Sequence, residues 1–144
     1  MNVSLSPLAL DRFLLFSEFS SRTIKRLSLD VPEKLHETLN IHAMNLTNPY
    51  GLHYDPVEDK IYFSDATKDR IMRCRPSGDP VEVIIDEVLS GVTGLALDII
   101  GRKLYFCDVN LHSIEVADLD GSNRLHLINN ANRPWSLELA YRRR

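Results

Sequence analysis

The sequence has few cysteines, no excess of basic residues and no long apolar run. Its 144 residues carry a formal net charge of −3, which gives no basic surface for nucleic acid. No stretch approaches the ~20 apolar residues that span a bilayer, and the N-terminus lacks the basic and apolar segments of a secretory signal. We therefore expect no nucleic-acid partner and no membrane insertion of this segment, and either an intracellular protein or a piece of a longer one.

The two cysteines, Cys74 and Cys107, form neither a disulfide framework nor a spaced metal site. Because they stand at different offsets within the repeat described next, no repeating bridge is implied. The simpler prediction is two buried thiols that act as small hydrophobic side chains.

The most informative feature present is a short segment that occurs three times, at 14–18, 61–65 and 104–108. Each copy combines apolar or aromatic residues with a serine or cysteine and an acid, and an isoleucine follows ten positions from its start. The copies begin 47 and 43 residues apart, a spacing typical of propeller blades with about four strands each. We predict an all-β propeller of four-stranded antiparallel blades, with about three blades and the start of a fourth in a partial ring.

The repeat divides the chain into units at 5–47, 48–91 and 92–132, with the start of a fourth at 133–144. First strands are predicted at 8–11, 51–55, 94–98 and 136–140, and fourth strands at 81–85 and 124–128. The turn at 99–103 contains Gly101, where a positive φ is cheap. The stretch 32–47 is the weakest, and we interpret it as a fourth strand with an enlarged connection rather than a short amphipathic helix.

These repeats resemble the tyrosine-tryptophan-threonine-aspartate repeats, also called low-density lipoprotein receptor class B repeats. The match lies in Asn48-Pro49, Gly51-Leu52, Asp55, the segment 61–65, Ile71 and the turn at 119–122. The motif residues are Gly51, Gly94, Tyr62, Phe63, Ser64, Asp65, Tyr105, Phe106, Cys107 and Asp108. Here Phe63 and Phe106 replace tryptophan, and Ser64 and Cys107 replace threonine. The resemblance implies a six-bladed propeller of receptor ectodomains, usually beside small cysteine-rich modules of the epidermal growth factor type.

Three and a half units make about half of such a ring, and an open arc leaves two blade faces exposed to water. We therefore expect the chain to be a fragment of a larger ectodomain, although two arcs could also pair into one ring.

The acidic residues favour structural roles. Asp65 and Asp108 end buried strands, where a carboxylate must be satisfied by hydrogen bonds or a cation, and the resemblance implies that they tie strands and adjacent blades together. Asp55, Glu58 and Asp59 lack the spacing of a calcium loop and are more simply a solvated hairpin tip. The histidines are scattered without zinc spacing, and no nucleophile elbow is present. We predict no catalytic residue, no metal and no cofactor.

Residues that break the repeat are the candidates for ligand contact: Tyr50, His53, Arg133 and Trp135. Exposed aromatics and arginines often supply interface energy, but Trp135 is equally a candidate core anchor, and we favour the core. A pH-sensing role for His53 or His112 is the less favoured interpretation. Asn2 and Asn45 open sequons for N-glycans, and Asn45 is the better candidate because it precedes a blade's first strand on the rim.

The resemblance implies a non-enzymatic protein-binding module in the extracellular part of a lipoprotein-receptor-like membrane protein, acting in ligand binding or release, endocytosis or Wnt-type co-receptor signalling. Its ligand would be a lipoprotein, a yolk protein, or a Wnt-pathway or matrix protein. Two alternatives remain open. A calcium-dependent, lactonase-like propeller hydrolase predicts acids and amides on the innermost strands, whereas an intracellular propeller scaffold predicts a parent without cysteine-rich neighbours.

Overall fold

A computed structural model of the chain describes residues 12–30, 37–38, 41 and 45–143. Within them the chain forms three antiparallel sheets in sequence order, which we call blades 1, 2 and 3. Blade 1 contains β1 (Phe13–Glu18), β2 (Thr23–Ser28) and β3 (Glu37–Thr38). Blade 2 contains β4 (Pro49–Asp55), β5 (Lys60–Asp65), β6 (Arg70–Cys74) and β7 (Glu82–Ile85). Blade 3 contains β8 (Val92–Asp98), β9 (Lys103–Asp108), β10 (Ser113–Asp118) and β11 (Leu125–Ile128).

The predicted all-β architecture of four-stranded antiparallel blades is confirmed, and no helix occurs in the part of the chain that the structure describes. In blades 2 and 3 the strands follow one another as a meander, each paired with the next. The predicted first strand at 8–11 lies outside the described residues. Most of 32–47 does too, but its residues 37–38 pair with β2 as a strand.

The blades repeat down to individual backbone angles. The hairpins after β1, β5 and β9 each contain one residue with φ between 51° and 58°, namely Arg22, Asp69 and His112. The hairpins after β4 and β8 do the same at Asp59 and Arg102. The prediction that Gly101 supplies a positive φ was wrong, because the neighbouring Arg102 adopts it. A side chain at Gly101 would instead meet the Asp98 carboxylate.

Two apolar clusters fill the spaces between the blades. Between blades 1 and 2 lie Ile24, Ile61, Phe63, Met72 and Cys74, with Leu15 packed against them. Between blades 2 and 3 lie Tyr62, Ile71, Ile85, Leu104 and Phe106, together with residues of β8. Alternate residues of β5 therefore serve different interfaces, as the period of two in a strand requires. This is why residues 61–63 of β5 are all apolar.

The first strands of successive units approach each other through glycines. A Cβ on Gly51 would lie 3.2 Å from the backbone nitrogen of Leu95, and a Cβ on Gly94 would lie 3.0 Å from that of Leu137. The two contacts correspond in the repeat: Gly94 stands 43 residues after Gly51, and Leu137 stands 42 residues after Leu95. Residues 133–143, which we call the tail, therefore run along β8 where the first strand of a fourth blade belongs, although they do not pair into a sheet.

Candidate protein-binding surface

One end of the arc is organised by the two aspartates of the repeat. Asp65, fully buried, accepts hydrogen bonds from the backbone nitrogens of Thr47 at 2.6 Å and Asn48 at 3.1 Å. It also accepts from Thr67 and Lys68 in its own hairpin, both at 3.2 Å. Each carboxylate oxygen thus replaces water with a backbone donor, so Asp65 joins the segment entering blade 2 to the turn between β5 and β6.

Asp108 repeats this arrangement in blade 3. Its carboxylate accepts from the backbone nitrogens of Ser90 at 2.6 Å, Asn110 at 3.0 Å and Leu111 at 2.9 Å. These donors stand 43 residues after Thr47, Thr67 and Lys68. Backbone amides thus satisfy both aspartates, and the aspartates of the motif have a structural role.

The residue before each aspartate connects one blade to the next. The Ser64 hydroxyl accepts a hydrogen bond from the Gly51 nitrogen at 2.8 Å and donates to the Val92 carbonyl at 2.9 Å. In blade 3 this place is taken by Cys107, 3.8 Å from the Thr93 hydroxyl, which donates to the Pro134 carbonyl at 3.5 Å. Thr93 therefore binds the tail to blade 3, and Ser64 binds blade 3 to blade 2 in the corresponding place.

An aromatic pair is exposed at this end. The rings of Tyr50, on β4, and Trp135, in the tail, pack edge to face with centroids 5.6 Å apart. Tyr50 is 37% exposed and Trp135 is 54% exposed. The prediction that Trp135 anchors the core was therefore wrong. The tail lies on the side of β8 that is turned away from β4, and no described residue covers the indole on the far side of the tail.

The other two predicted contact residues are not part of this pair. Arg133 is exposed and its backbone nitrogen donates to His112 Nδ1 at 3.3 Å, which fixes the start of the tail. His53 is half-buried and lines a cavity of about 560 Å³ beside Leu15 and Tyr54, toward blade 1. Its Nδ1 is buried and forms no hydrogen bond with any described residue. The structure thus brings together Tyr50 and Trp135, with Arg133 two residues before Trp135 in the sequence. It does not bring His53 to this pair.

The opposite end of the arc contains an ion pair that the sequence did not reveal. Asp55, predicted as part of a solvated hairpin tip, is fully buried and is bound by both terminal nitrogens of Arg102, at 3.0 and 2.7 Å. Arg102 also contacts the exposed Glu58 at 2.8 Å. The hydrogen bonds from Arg102 lower the pKa of Asp55 and of Glu58, and in return those carboxylates raise the pKa of Arg102.

This ion pair links neighbouring blades, because Asp55 ends β4 in blade 2 and Arg102 lies in the first hairpin of blade 3. The third acid, Asp59, accepts a hydrogen bond from the Tyr54 hydroxyl at 2.8 Å. Burial, and then that bond, raise the pKa of Tyr54 to about 12. In the described part of the chain no three His, Cys, Asp or Glu side chains are grouped so that they could hold a metal ion.

A second buried ion pair is confined to blade 3. Glu115 is fully buried, and Arg124 Nη2 lies 3.0 Å from its Oε1. The same guanidinium donates to the carbonyls of Glu87 at 2.6 Å and Val88 at 2.8 Å, and stacks 5.3 Å above the Phe106 ring. In blade 2 the corresponding residues are Met72 and Val81. The ion pair in blade 3 therefore stands where blade 2 has two apolar residues. Aligning the two repeats of the chain could have revealed this pair from the sequence.

The remaining predicted positions are surface or core features. Cys74 and Cys107 are both buried; burial raises the pKa of the Cys74 thiol to about 12 and also raises that of Cys107. Asn45 is exposed in the segment before β4, with a φ of 45°. Asn2 lies outside the described residues.

The blades and their repeated contacts define a partial β-propeller, and comparison with known proteins adds the family. Residues 102–138 match the family described as low-density lipoprotein receptor repeat class B. The resemblance seen in the sequence is confirmed for this stretch, which runs from the β8–β9 hairpin into the tail. The chain is 38% identical over 92 residues to low-density lipoprotein receptor-related protein 4 of Homo sapiens, and 38% identical over 87 residues to that of Rattus norvegicus. These matches cover 64% and 60% of this chain but only 5% and 4% of the relatives.

Solved structures give the same fold. A chain in the crystal structure of a nidogen/laminin complex is similar with a TM-score of 0.73 and 30% identity, over 81% of this chain and 44% of that one. Virginiamycin B lyase from Staphylococcus aureus is similar with a TM-score of 0.65 at 19% identity, over 86% of this chain and 41% of that one. The second likeness concerns the fold alone. No helix in the described residues has the length and apolar character needed to cross a bilayer.

Proposed function

We propose that this chain is a non-enzymatic protein-binding module from the extracellular part of a lipoprotein-receptor-like membrane protein. We place its ligand contact at the surface formed by Tyr50 and Trp135. The observation that carries this proposal is the exposed edge-to-face pair itself, since large aromatic side chains left in water are typical anchors of protein interfaces.

The surroundings of the pair support this role because they hold it rigidly. The tail is fixed beside Trp135 by three contacts: the Thr93 hydroxyl on the Pro134 carbonyl, His112 on the Arg133 nitrogen, and the close approach of Gly94 to Leu137. Tyr50 belongs to a strand paired with β5. A rigid aromatic pair loses little conformational entropy when a ligand covers it.

The interior of the arc supports a binding module over a hydrolase. The middles of the first strands contain no acid or amide: they are Leu52, His53 and Tyr54 in β4 and Leu95, Ala96 and Leu97 in β8. The acids at the ends of these strands are engaged by Arg102 and Tyr141. The ligand proposed is an extracellular protein: a lipoprotein, a yolk protein, or a Wnt-pathway or matrix protein. The similar solved propeller is part of a nidogen/laminin complex, which supports a protein ligand for this chain as well.

The experiment is binding of the purified 144-residue chain to three probes, namely low-density lipoprotein particles, vitellogenin and laminin, by surface plasmon resonance. Whichever probe binds the wild-type chain, Tyr50→Ala and Trp135→Ala should each weaken its binding about tenfold or more. Val57→Ala is the matched control, because Val57 is exposed at the opposite end of the arc. Unchanged affinity of both aromatic variants, or no binding to any probe, would contradict the proposal.

The proposal includes a parent protein that enters the secretory pathway, with modules of the epidermal growth factor type, endocytosis and an N-glycan at Asn45. Expression of the chain behind a secretion leader in mammalian cells tests the glycan. A mobility shift removed by peptide N-glycosidase F should be lost in Asn45→Gln. A shift that survives in that variant but disappears in Asn2→Gln would place the glycan at Asn2 instead.

A further inference from the structure

The junction between blades 2 and 3 has apolar residues where the preceding junction has polar ones. In the segment that enters blade 2, the Lys68 amino group donates a hydrogen bond to the Asn45 carbonyl. The residues 43 positions later are Leu111 and Val88, which are 40% and 73% exposed. Two polar residues at one junction are thus replaced at the next by two apolar side chains in contact with water.

The backbone at Val88 disfavours a valine. Val88 has a φ of 51°, and Asn45 has a φ of 45° at the corresponding place. Asparagine tolerates this left-handed conformation, whereas a β-branched residue rarely adopts it. Among the described residues with a positive φ, Val88 alone is β-branched. Because an exposed asparagine would fit the fold better, the valine indicates a contact with another molecule rather than a folding requirement.

Two carboxylates precede Val88 in the chain. Asp86 and Glu87 are exposed, and neither side chain has an ion pair or a hydrogen bond with any residue that the structure describes. The nearby Arg124 guanidinium is already engaged, because it pairs with the buried Glu115 and donates to the carbonyls of Glu87 and Val88. Glu115 balances the charge of Arg124, so the carboxylates of Asp86 and Glu87 remain as two uncompensated negative charges. The bonds from Arg124 also fix the backbone of this segment before any partner binds.

A cavity of about 210 Å³ lies beside the two carboxylates. It is lined by Ile84, Ile85, Asp86, Glu87, Gly121 and Arg124. Its apolar wall suits the methylene stem of a lysine or arginine side chain, and the carboxylates suit the charged end of that side chain. All of the lining residues belong to blades 2 and 3 or to the segment that joins them. The cavity is therefore formed entirely within two complete blades.

We propose that this surface binds a basic segment of a partner protein. A lysine or arginine of the partner occupies the cavity and pairs with Asp86 and Glu87, and a neighbouring apolar side chain of the partner covers Val88 and Leu111. Charge complementarity favours this occupant, since a neutral apolar segment would desolvate both carboxylates without supplying a cation. The contact is separate from the aromatic pair and adds a second binding site to the chain.

The experiment measures binding of fluorescein-labelled peptides to the purified 144-residue chain by fluorescence polarisation. The probe is Gly-Ser-Lys-Leu-Arg-Lys-Leu-Ser-Gly, and the control peptide has glutamate in place of each lysine and arginine. The wild type should bind the probe, more weakly as salt is added, and should not bind the control peptide. The double variant Asp86→Asn with Glu87→Gln should bind the probe about tenfold or more weakly, because it lacks the carboxylates that pair with the cations.

Val88→Asn is the sharper variant, because it introduces the residue that the preceding junction has. Asparagine suits the positive φ, so the urea midpoint should rise, while the affinity for the probe should fall about tenfold. The variant is produced in bacteria, where the sequon that it creates is not glycosylated. Val57→Asn is the matched control, since Val57 is exposed at the opposite end of the arc, and it should leave the affinity unchanged.

The proposal is overturned if the wild type does not bind the probe, if it binds the control peptide equally well, or if Val88→Asn keeps the wild-type affinity. It is also overturned if Trp135→Ala abolishes probe binding and the double carboxylate variant does not, because the peptide would then lie on the aromatic pair. The ligand proposed for the aromatic pair is tested with other probes. Either site can therefore fail without the other.

Discussion

The interface between blades 2 and 3 and the two ends of the arc are built from the same repeat positions but have opposite environments. Phe106 is fully buried against blade 2, whereas its counterpart Phe16, on the side of blade 1 turned away from blade 2, is 37% exposed. Tyr62 is fully buried between blades, whereas Tyr105, on the side of blade 3 turned away from blade 2, is half-buried. Whether a side chain is buried in this fold therefore depends on the presence of a neighbouring blade and not on the type of residue. Most of the stabilisation of each blade must then come from its interfaces, as in other repeat proteins.

The comparison is tested most strongly by truncating the two equivalent phenylalanines. Phe106→Ala should lower the free energy of unfolding by about 3–5 kcal/mol, because it leaves a cavity in a closed interface. Phe16→Ala should cost less than half as much, since part of the ring is already in water. Urea unfolding measures both losses. Equal losses would mean that blade 1 is as well packed as blade 3 and that the comparison fails.

The ion pair between blades 2 and 3 should have the next largest effect. Arg102→Met leaves the buried Asp55 carboxylate with only its backbone contacts, and we expect a loss of about 2–3 kcal/mol at pH 7. This is below the usual cost for a buried pair because the Arg102 side chain is about one-third exposed.

The same pair predicts a pH dependence. The pKa of Asp55 is lower in the folded chain than its ordinary value of 3.8, so its contribution is complete above that value and is lost as the pH falls through the folded pKa. Stability should therefore drop in the wild type as the pH falls below the ordinary value of 3.8 towards the lower folded pKa. Asp55→Asn, which carries no titrating group there, should show a smaller drop. An identical acid profile in both proteins would show that Asp55 does not contribute to it.

The smallest effect is expected at the equivalent contact on the open side of blade 3. Asp98, 43 residues after Asp55, accepts a hydrogen bond from the exposed Tyr141 hydroxyl at 2.8 Å instead of from an arginine. Tyr141→Phe should leave the free energy of unfolding within the ~10–15% uncertainty of urea extrapolation. A clear destabilisation would mean that the hydrogen bond from Tyr141 to Asp98 contributes as much as the ion pair between the complete blades.

The repeat period and the apolar pattern of 61–65 and 104–108 were enough to predict the blades, because each strand's character depends on being covered from both sides. Contacts between units could not be predicted in the same way. Asp55 and Arg102 are 47 residues apart, and only the stacking of blades brings a hairpin tip of one onto the strand end of the other. The prediction for Trp135 failed for a related reason. Its apolar character indicated a core position, but the tail that contains it has only one neighbouring strand. The exposed pair with Tyr50 depends on that one-sided placement.

The Asp65 carboxylate has a consequence for how the molecule opens. Because one side chain receives the amides of 47–48 and those of 67–68, peeling away the β5–β6 hairpin also releases the peptide that leads into β4. Amide deuteration should therefore advance through a whole blade at a time, with residues of 45–48 and 66–69 exchanging at matched rates. The turnover of the protein by proteases would follow the same units.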